Sequence, residues 1–203
     1  MKLLLHACCG PCSLLPTTLL QDAGHDITIA YMNSNIHPGE EYEKRRETLR
    51  LWAQLMNLEV IEGSYNPRQW QEIVGDIAKM DGYKREDRCR ACYHMRLEEA
   101  AVYAKAHEYE GLSTTLTVSP YQFIDIIEEE LNNTCTKHGL EPVFKDFRSY
   151  YSQATQKSRD LGMYRQNYCG CHYSACEAAA EREERKRLRK AAKEEKRRAR
   201  ENQ

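Results

Sequence analysis

The sequence predicts an α/β fold, in which a small parallel sheet is flanked by helices and followed by a charged helical tail. Short apolar stretches alternate along the chain with longer stretches of helical periodicity, and this alternation is typical of parallel sheets wound with right-handed crossovers. The length of 203 residues suits one domain with an appendage. We expect an α/β domain over residues 1–176 and a charged tail over residues 177–203.

The first predicted strand covers Lys2 to His6. The helix after it should run from about Ser13 to Asp22, because proline lacks an N–H group and Pro16 is tolerated only near a helix start. Gly24 closes this helix. These boundaries leave three cysteines in the loop or at its edge, a position where ligands bind in open α/β sheets, within the sequence His6-Ala7-Cys8-Cys9-Gly10-Pro11-Cys12.

The second strand covers Ile27 to Tyr31 and is followed by a helix from Glu40 to Met56. One face of that helix should be buried, because apolar residues recur there at helical spacing, at Leu49, Trp52, Ala53 and Met56. Leu58 to Ile61 is a short third strand. A helix of low apolar content should then cover residues 68–79.

The clearest helix should run from Asp87, its predicted N-cap, to about Tyr109. Cys89 and Cys92 are three residues apart in its first turn and therefore project from the same side. Unsatisfied N–H groups and the positive end of the helix dipole lie there, so we expect the pKa of both thiols to be lowered.

A fourth strand is predicted over Ser113 to Val118. The next helix carries an apolar stripe that makes Cys135 a small core residue, and the stripe consists of Ile124, Ile127, Leu131 and Cys135. A last strand over Glu141 to Phe144 and a polar helix over Tyr151 to Leu161 follow. The tail from Glu177 to Gln203 has no apolar face and should project from the domain or fray.

Nine cysteines are present, and they occur in clusters instead of the dispersed pattern of a disulfide scaffold. The apolar run before Cys8 is too short for a secretory signal, and no stretch approaches the length of a membrane span, so we expect a cytoplasmic protein without membrane contact. The tail contains 11 Lys/Arg against 7 Asp/Glu, a net charge of +4, while the whole chain carries −1. This asymmetry favours a polyanionic partner.

Seven of the cysteines come from three separated segments and are candidate metal ligands: Cys8, Cys9, Cys12, Cys89, Cys92, Cys169 and Cys171. Thiolates in such numbers suit zinc or iron–sulfur centres. A four-thiolate zinc site usually comes from two CxxC-type knuckles, whereas an adjacent pair stands here in place of the second knuckle, which favours iron–sulfur. The late pair has two alternatives, since it either closes a small, strained disulfide or stays reduced and holds a second metal.

Histidines and tyrosines near these motifs have structural as well as functional interpretations. His6 is expected to be a satisfied residue near the core, and His37 either orients a loop or binds. Five tyrosines flank the motifs and either stack a planar base or serve as core residues with a polar tip, namely Tyr31, Tyr93, Tyr121, Tyr164 and Tyr168.

Taken together, the motifs resemble the QueH family of epoxyqueuosine reductases. The resemblance extends from residue 6 to about 174. It is carried by His6-Ala7-Cys8-Cys9-Gly10-Pro11-Cys12, by Tyr31-Met32-Asn33-Ser34-Asn35-Ile36-His37-Pro38 with Glu41-Tyr42 and Arg45, by Asp87-Arg88-Cys89-Arg90-Ala91-Cys92-Tyr93 with Arg96-Leu97, by Thr114-Thr115-Leu116 with Ser119-Pro120-Tyr121-Gln122, and by Gly162-Met163-Tyr164-Arg165-Gln166-Asn167-Tyr168-Cys169-Gly170-Cys171.

The resemblance implies a Rossmann-like fold related to the adenine nucleotide alpha hydrolase (HUP) type. It also implies an oxidoreductase of tRNA processing that performs the last step of queuosine biosynthesis, the reduction of epoxyqueuosine at the wobble position of tRNA. The expected cofactors are a [4Fe–4S] cluster and either a second mononuclear iron or a redox-active cysteine pair, without cobalamin. An electron donor that the sequence does not identify is also required.

By position in the motifs, the resemblance assigns the cluster to Cys8, Cys9, Cys89 and Cys92. It assigns the redox or second-metal role to Cys169 and Cys171, with Cys12 as a further ligand. Spacing alone does not divide the seven thiols between two centres. The proton donor is left open among Tyr121, His37 and Tyr168.

Two rival functions follow from the same residues. One is a tRNA sulfur transferase on a related nucleotide-binding fold, but the loop that would cradle ATP contains Pro11, which offers no N–H donor. The other is a zinc-stabilised RNA-binding module. Iron with inorganic sulfide supports the reductase, zinc alone supports the module, and ATP turnover supports the transferase.

Overall fold

Five parallel strands form the centre of the protein, which we describe from a computed structural model over residues 1–201. The strands are β1 (Lys2–His6), β2 (Asp26–Tyr31), β3 (Val60–Glu62), β4 (Gly111–Thr114) and β5 (Glu141–Pro142). Their order in the sheet is β3-β2-β1-β4-β5, and every neighbouring pair is parallel. The predicted α/β class with a small parallel sheet is confirmed.

Seven helices accompany the sheet in the described residues. They are α1 (Gly10–Asp22), α2 (Gly39–Leu55), α3 (Pro67–Trp70), α4 (Arg85–Ala106), α5 (Ile124–His138), α6 (Tyr151–Asp160) and α7 (His172–Glu201). None of these helices combines the length and hydropathy that crossing a membrane requires.

The central strand β1 is buried on both faces, as expected for a parallel sheet covered by helices. Leu3 and Leu5 point into one core, which includes side chains of α1 and α2. Leu4 points into the other core, where it meets side chains of α4 and α5 such as Leu97 and Leu131. This division follows from the two-residue period of a strand.

The register of the strands places three loops at one edge of the sheet. His6, the last residue of β1, pairs with Ala30 of β2 on one side and with Thr114 of β4 on the other. The chain segments after these three strands therefore emerge side by side. The direction of winding reverses between β1 and β4, and such a switch point is where open α/β sheets bind ligands.

The first helix begins at Gly10, three residues before the predicted start. Pro11 lies in its first turn, where the missing N–H group costs nothing, and Pro16 lies inside the helix. The prediction placed Pro16 near the helix start, whereas Pro11 holds that position. Cys12 therefore belongs to the first turn of α1, and Cys9 is its N-cap.

The single helix predicted over residues 68–79 is wrong. The segment consists of α3, a π-helical turn over Gln71–Gly75 and a 3₁₀ turn over Ile77–Lys79. Only Trp70 and Val74 anchor it fully in the interior, and glycine at position 75 is a poor helix former.

Helix α4 begins at Arg85, because the carboxylate of Asp87 accepts a hydrogen bond from the Lys84 backbone N–H at 3.1 Å. Asp87 is therefore the third residue of the helix and not its N-cap. Cys89 consequently lies beyond the first turn, contrary to expectation. The helix ends at Ala106, before the predicted Tyr109.

Other boundaries differ in smaller ways. Strand β4 ends at Thr114, whose hydroxyl accepts a hydrogen bond from the Leu116 N–H at 3.2 Å and draws Thr115–Val118 into a 3₁₀ turn. Strand β5 is two residues long, and Met56 is 49% exposed instead of buried. The last helix begins at His172, five residues before the predicted tail helix, and its described side chains are exposed from Glu183 onward.

Candidate functional site

Three thiols meet where β1 gives way to α1. The Sγ atoms of Cys8, Cys9 and Cys12, which we call the thiol triad, all lie within 4.8 Å of one another. The Sγ atoms of Cys8 and Cys9 are 3.7 Å apart. The sharp transition from strand to helix brings them together, because Cys8 and Cys9 precede the first turn and Cys12 belongs to it.

The arrangement of the triad stabilises one thiolate, which accepts hydrogen bonds from the two other thiols. Hydrogen bonds from Cys12 and Cys9 hold the pKa of Cys8 well below its usual range, and Arg96 and Thr115 add to this effect. The same hydrogen bonds raise the pKa of Cys12, while burial raises the pKa of Cys9 to about 12. A thiolate with two thiols in van der Waals reach is a natural starting point for metal binding.

Cys89 and Cys92 project from α4 towards the triad and the late cysteine pair. Cys89 packs beside Cys8 against one apolar cluster, and Cys92 packs with Cys171 in another. The indole N–H of Trp70 donates a hydrogen bond to the Sγ of Cys92 at 3.4 Å. The two halves of the predicted site therefore converge.

The expected lowering of the thiol pKa values on α4 is wrong. Burial raises the pKa of Cys89 to about 11 and that of Cys92 to about 12. Both residues lie beyond the first turn of α4, where the helix dipole has faded, so desolvation of the thiolate dominates.

The segment Cys169-Gly170-Cys171 closes the site from the other end of the chain. Gly170 has a φ of 156°, and a Cβ atom at this position would come within 2.8 Å of the Asn35 side chain. Only glycine therefore fits between the two cysteines. Burial raises the pKa of Cys169, and both cysteines are free thiols, as are the other seven.

Charge interactions connect the later cysteines with one another and with Cys8. Cys169 and Cys171 each raise the pKa of Cys89 and of Cys92, and Cys8 raises that of Cys169. Such coupling requires proximity, since charge interactions fall off with distance. Among the described residues the group of thiols close enough to share one metal ion is the triad, while Cys169 lines the same cavity as Cys8 and Cys12, and Cys92 packs with Cys171. Cys135 is buried in the core and Cys176 is exposed on α7.

Three arginines with almost fully buried side chains surround the thiols. Arg45 donates to the carbonyl oxygens of Cys169 at 2.6 Å and Tyr168 at 3.2 Å. Arg96 donates to the Asn33 side chain at 2.6 Å, and Arg88 pairs with Glu177 at 2.7 Å. Burial opposes the charge of Arg96, yet the thiolates of Cys92, Cys169 and Cys8 raise its pKa above the usual value.

These arginines provide a test of whether a metal–thiolate group fits the site. In the described part of the chain, Nε and Nη1 of Arg96 and Nη1 of Arg88 are buried without a hydrogen-bond partner. Buried cationic donors without partners are costly unless an anion lies nearby. A metal centre with several thiolate ligands carries net negative charge, so the donor set and the arginines both fit such a group.

A cavity of about 310 Å³ opens beside the thiols, a volume at the lower end for ligand pockets. Cys8, Cys12 and Cys169 line it together with Tyr121 and Gln122. Its remaining wall comes largely from the first turns of α7, with Glu177, Ala178, Glu181, Arg182 and Arg185.

The candidate proton donors occupy different positions. Tyr121 lines the cavity and is 52% exposed. Tyr168 also lines it, but its hydroxyl donates to the carbonyl oxygen of His37. The ring of His37 packs against Trp70 and His172, each 5.7 Å away between centroids. Burial lowers the pKa of His37.

The remaining sequence candidates are structural in the described contacts. His6 is fully buried and hydrogen-bonded to Thr114 at 2.9 Å, and burial with the charge of Arg96 lowers its pKa to about 3. Tyr31 is buried, and the hydroxyl of Tyr164 donates to Glu41 at 2.5 Å. Tyr93 is also buried, but its hydroxyl donates at 2.8 Å to a residue of the cavity wall, Gln122.

Sequence reasoning assigned no role to two glutamines and three arginines at the site. Gln166 donates to the Sγ of Cys9 at 2.8 Å, and the oxygen of Gln122 lies 3.8 Å from the Sγ of Cys169. A usable signal existed for two arginines, because Arg88, Cys92 and Arg96 recur every four residues and therefore share one face of α4.

A sequence profile of the family described as "Epoxyqueuosine reductase QueH" matches residues 3–177. A protein of that name from Dehalococcoides mccartyi is 36% identical over 177 residues, which cover 87% of this chain and 93% of the relative. Another from Thermotoga maritima is 37% identical over 180 residues, covering 86% and 90%.

A solved structure also has a similar fold. It is described as a predicted subunit of a tRNA methyltransferase from Methanocaldococcus jannaschii. The TM-score is 0.53 at 13% sequence identity, over 78% of this chain and 74% of that one. At this identity the likeness concerns the fold alone.

Proposed function

This chain belongs to the QueH family of epoxyqueuosine reductases, and from that premise we propose that it reduces epoxyqueuosine to queuosine in tRNA. The epoxide at the wobble nucleoside takes up two electrons and two protons, both C–O bonds break, a C=C bond forms, and the oxygen leaves as water. The observation that carries this proposal is the convergence of seven thiols from three chain segments beside one cavity.

The thiols divide between two centres in this proposal. Cys8, Cys9, Cys89 and Cys92 would hold a [4Fe–4S] cluster, which supplies electrons one at a time when bound. Cys169 and Cys171, with Cys12, would hold a mononuclear iron or act as a redox-active pair. The buried guanidinium nitrogen atoms that lack a hydrogen-bond partner, Nη1 of Arg88 and Nε and Nη1 of Arg96, support a centre of net negative charge.

The protein itself contributes binding, orientation and proton delivery. The cavity accepts the modified base after it leaves the anticodon loop. Tyr121 is the strongest candidate for the proton donor, because it lines the cavity whereas His37 packs elsewhere and the Tyr168 hydroxyl is engaged. Gln122 is held by the Tyr93 hydroxyl at 2.8 Å and would orient the substrate.

The proposed partners are the tRNA that carries epoxyqueuosine and a separate protein or small molecule that donates electrons. Both place the enzyme in the cytoplasm, where tRNA maturation and a reducing environment coincide.

The test begins with anaerobic purification, reconstitution with iron and sulfide, and quantitation of iron, sulfide and zinc. The reduced protein is then incubated with tRNA containing epoxyqueuosine, and the nucleosides are analysed by mass spectrometry. We expect iron with inorganic sulfide and a loss of one oxygen atom from the nucleoside. Zinc alone without conversion would favour an RNA-binding module, and ATP turnover would favour a sulfur transferase.

A matched pair of variants tests the ligand assignment. Cys89→Ala should lose the visible charge-transfer absorbance of iron–sulfur centres together with iron, whereas Cys176→Ser on the exposed face of α7 should keep both. A Cys89→Ala protein with full absorbance and iron content would remove Cys89 from the ligand set.

A further inference from the structure

Helix α7 carries a row of positive charge along one face beyond Glu177. Five basic residues fall on this face, because their spacings from the first are three, four, seven and eleven residues: Arg182, Arg185, Lys186, Arg189 and Lys193. We call them the basic stripe. The acidic residues nearby lie beside the stripe or opposite it: Glu181, Glu183 and Glu194 flank it, and Glu184 and Glu195 lie on the opposite face. No acidic residue therefore interrupts the stripe between Arg182 and Lys193.

The basic stripe starts at the cavity. Arg182 and Arg185 belong to the cavity wall, where the Arg185 guanidinium lies 6.0 Å from the centroid of the Tyr121 ring. Arg182 also donates to the carbonyl oxygen of Asn167 at 3.0 Å. From Arg182 to Lys193 the stripe extends about 16 Å along the helix. It therefore leads from the cavity into solvent without interruption.

Contacts in the first two turns of α7 fix the direction of the stripe. Glu177 pairs with Arg88 at 2.7 Å, and the Arg88 side chain is only 2% exposed. Arg85 adds an ion pair to Glu177 at 3.3 Å, and Arg88 stacks over Tyr173 with 5.0 Å to the ring centroid. Contacts between α4 and α7 thus hold the helix against the body where the stripe begins.

Two residues of the stripe form ion pairs with neighbouring glutamates, and these pairs are weak enough for an external anion to replace the glutamate. Arg185 pairs with Glu181 at 3.5 Å and Lys186 with Glu183 at 3.9 Å, and all four side chains are about half exposed or more. Exposed pairs of this kind contribute little to stability and exchange readily.

We propose that the basic stripe binds backbone phosphates of the RNA stem that adjoins the loop whose base enters the cavity. The proposal rests on the proposed function for the identity of this RNA as tRNA. A base splayed from a loop into the cavity leaves the paired stem outside it, within reach of a helix that starts at the cavity wall. RNA stems are recognised through phosphates and shape, which a row of cations supplies.

The composition of α7 favours RNA over a lipid surface. Helices that lie on membranes bury an apolar face opposite their basic one. The face opposite the stripe carries charged residues of both signs, Glu184, Arg187 and Glu195, and Leu188 is the one large apolar residue between Arg182 and Lys193.

Two double variants of the full-length protein test the proposal, each removing two positive charges. Arg189→Gln with Lys193→Gln removes the two outermost cations of the stripe, and Arg187→Gln with Arg198→Gln removes two cations from the opposite face of the helix. Affinity for an unmodified tRNA transcript is measured over a range of salt concentrations. We expect the stripe variant to bind about tenfold more weakly and its salt slope to fall by about two, because about two phosphate contacts are lost. The control variant should stay within about twofold of the wild type.

Each other outcome counts against the stripe. Equal weakening by both variants would indicate general attraction, and an unchanged affinity in the stripe variant would remove phosphate binding from this face. Loss of binding to phosphatidylserine vesicles with normal tRNA binding would assign the stripe to a membrane. Because this assay needs no turnover, stripe-dependent binding by an inactive reductase would refute only the proposed function. If the protein is an active reductase and the stripe variant binds tRNA as tightly as the wild type, only the inference about the stripe is refuted.

Discussion

Two groups of cysteines lie near the starts of two helices, and only the group at α1 contains a thiol whose pKa is lowered. In the thiol triad at the start of α1, neighbouring thiols lower the pKa of Cys8. On α4, burial raises the pKa of Cys89 to about 11 although the helix start is near. The difference shows that hydrogen-bond donors in direct contact with a sulfur atom outweigh a helix dipole that has faded after one turn.

The comparison implies that the two groups enter a metal centre differently. The lowered pKa of Cys8 favours its thiolate, the form that binds a metal ion, whereas the raised pKa values of Cys89 and Cys92 mean that both must lose protons when the metal arrives. The triad would then start the assembly of the centre, and the α4 pair would complete it.

The largest expected effect comes from removing the triad thiolate. Cys8→Ala should lower turnover by at least about 100-fold and iron content in parallel, because the pre-ionised ligand is gone. Iron quantitation after anaerobic reconstitution and mass spectrometry of the product nucleoside measure both. Cys176→Ser is the matched control and should behave as the wild type. Normal turnover by Cys8→Ala would show that the Cys8 thiolate is not needed for the metal centre.

Alkylation of the metal-free protein tests directly whether the thiols of the two groups differ in reactivity. At pH 7, Cys8 should react with iodoacetamide on the order of 100 times faster than Cys89, since the thiolate is the nucleophile. Between pH 7 and 9 the rate at Cys89 should rise about tenfold per pH unit, because its pKa of about 11 lies above that range, while the rate at Cys8 should rise less steeply because its pKa is lowered. Peptide mass spectrometry gives both rates. A faster reaction at Cys89 would reverse the order that the geometry implies.

Hydrogen bonds to sulfur should have smaller, comparable effects in the two groups. Gln166→Leu removes the donor to Cys9, and Trp70→Phe removes the donor to Cys92. Each should weaken iron retention against a chelator by about tenfold. Trp70 is fully buried, so Trp70→Phe should also lower the free energy of unfolding by about 1–2 kcal/mol, which denaturant titration of the metal-free protein measures. Iron retention equal to wild type in either variant would mean that its sulfur atom is not a ligand.

The smallest effect is expected outside both groups. Cys135 is fully buried on α5 and belongs to the apolar stripe. Cys135→Ala should lower the free energy of unfolding by about 1 kcal/mol through a small cavity and leave iron content unchanged. A fall in iron content would show that destabilisation alone disturbs the centre, and the effects of the other variants would need correction for it.

Hydrophobic periodicity and turn residues correctly predicted the helices and strands that depend on residues close in sequence. Strand β1 has the predicted bounds, and the stripe of α5 is buried at Ile127, Leu131 and Cys135. Gly139 ends α5 in the left-handed conformation, with a φ of 66°. The convergence of the thiols also followed from the sequence, because the carboxyl ends of parallel strands meet at one edge.

The missed features depend on contacts between distant residues. The pKa values on α4 are set by burial, which the spacing of Cys89 and Cys92 does not reveal. The role of α7 in the cavity wall depends on the pairing of Glu177 with Arg88, 89 residues apart in sequence. The segment at residues 68–79 has only two buried anchors, so its local pattern could not distinguish a helix from a series of turns.

The position of Cys169, Cys171 and α7 near the end of the chain sets an order for biosynthesis. A ribosome releases the thiol triad first, yet the residues that complete the pocket emerge last. During translation the early cysteines are therefore unprotected from oxidation and from the wrong metal. Under the proposed function, a metal centre that uses Cys169 and Cys171 could assemble only after these residues have left the ribosome, and a chain truncated before α7 would lack much of the cavity wall.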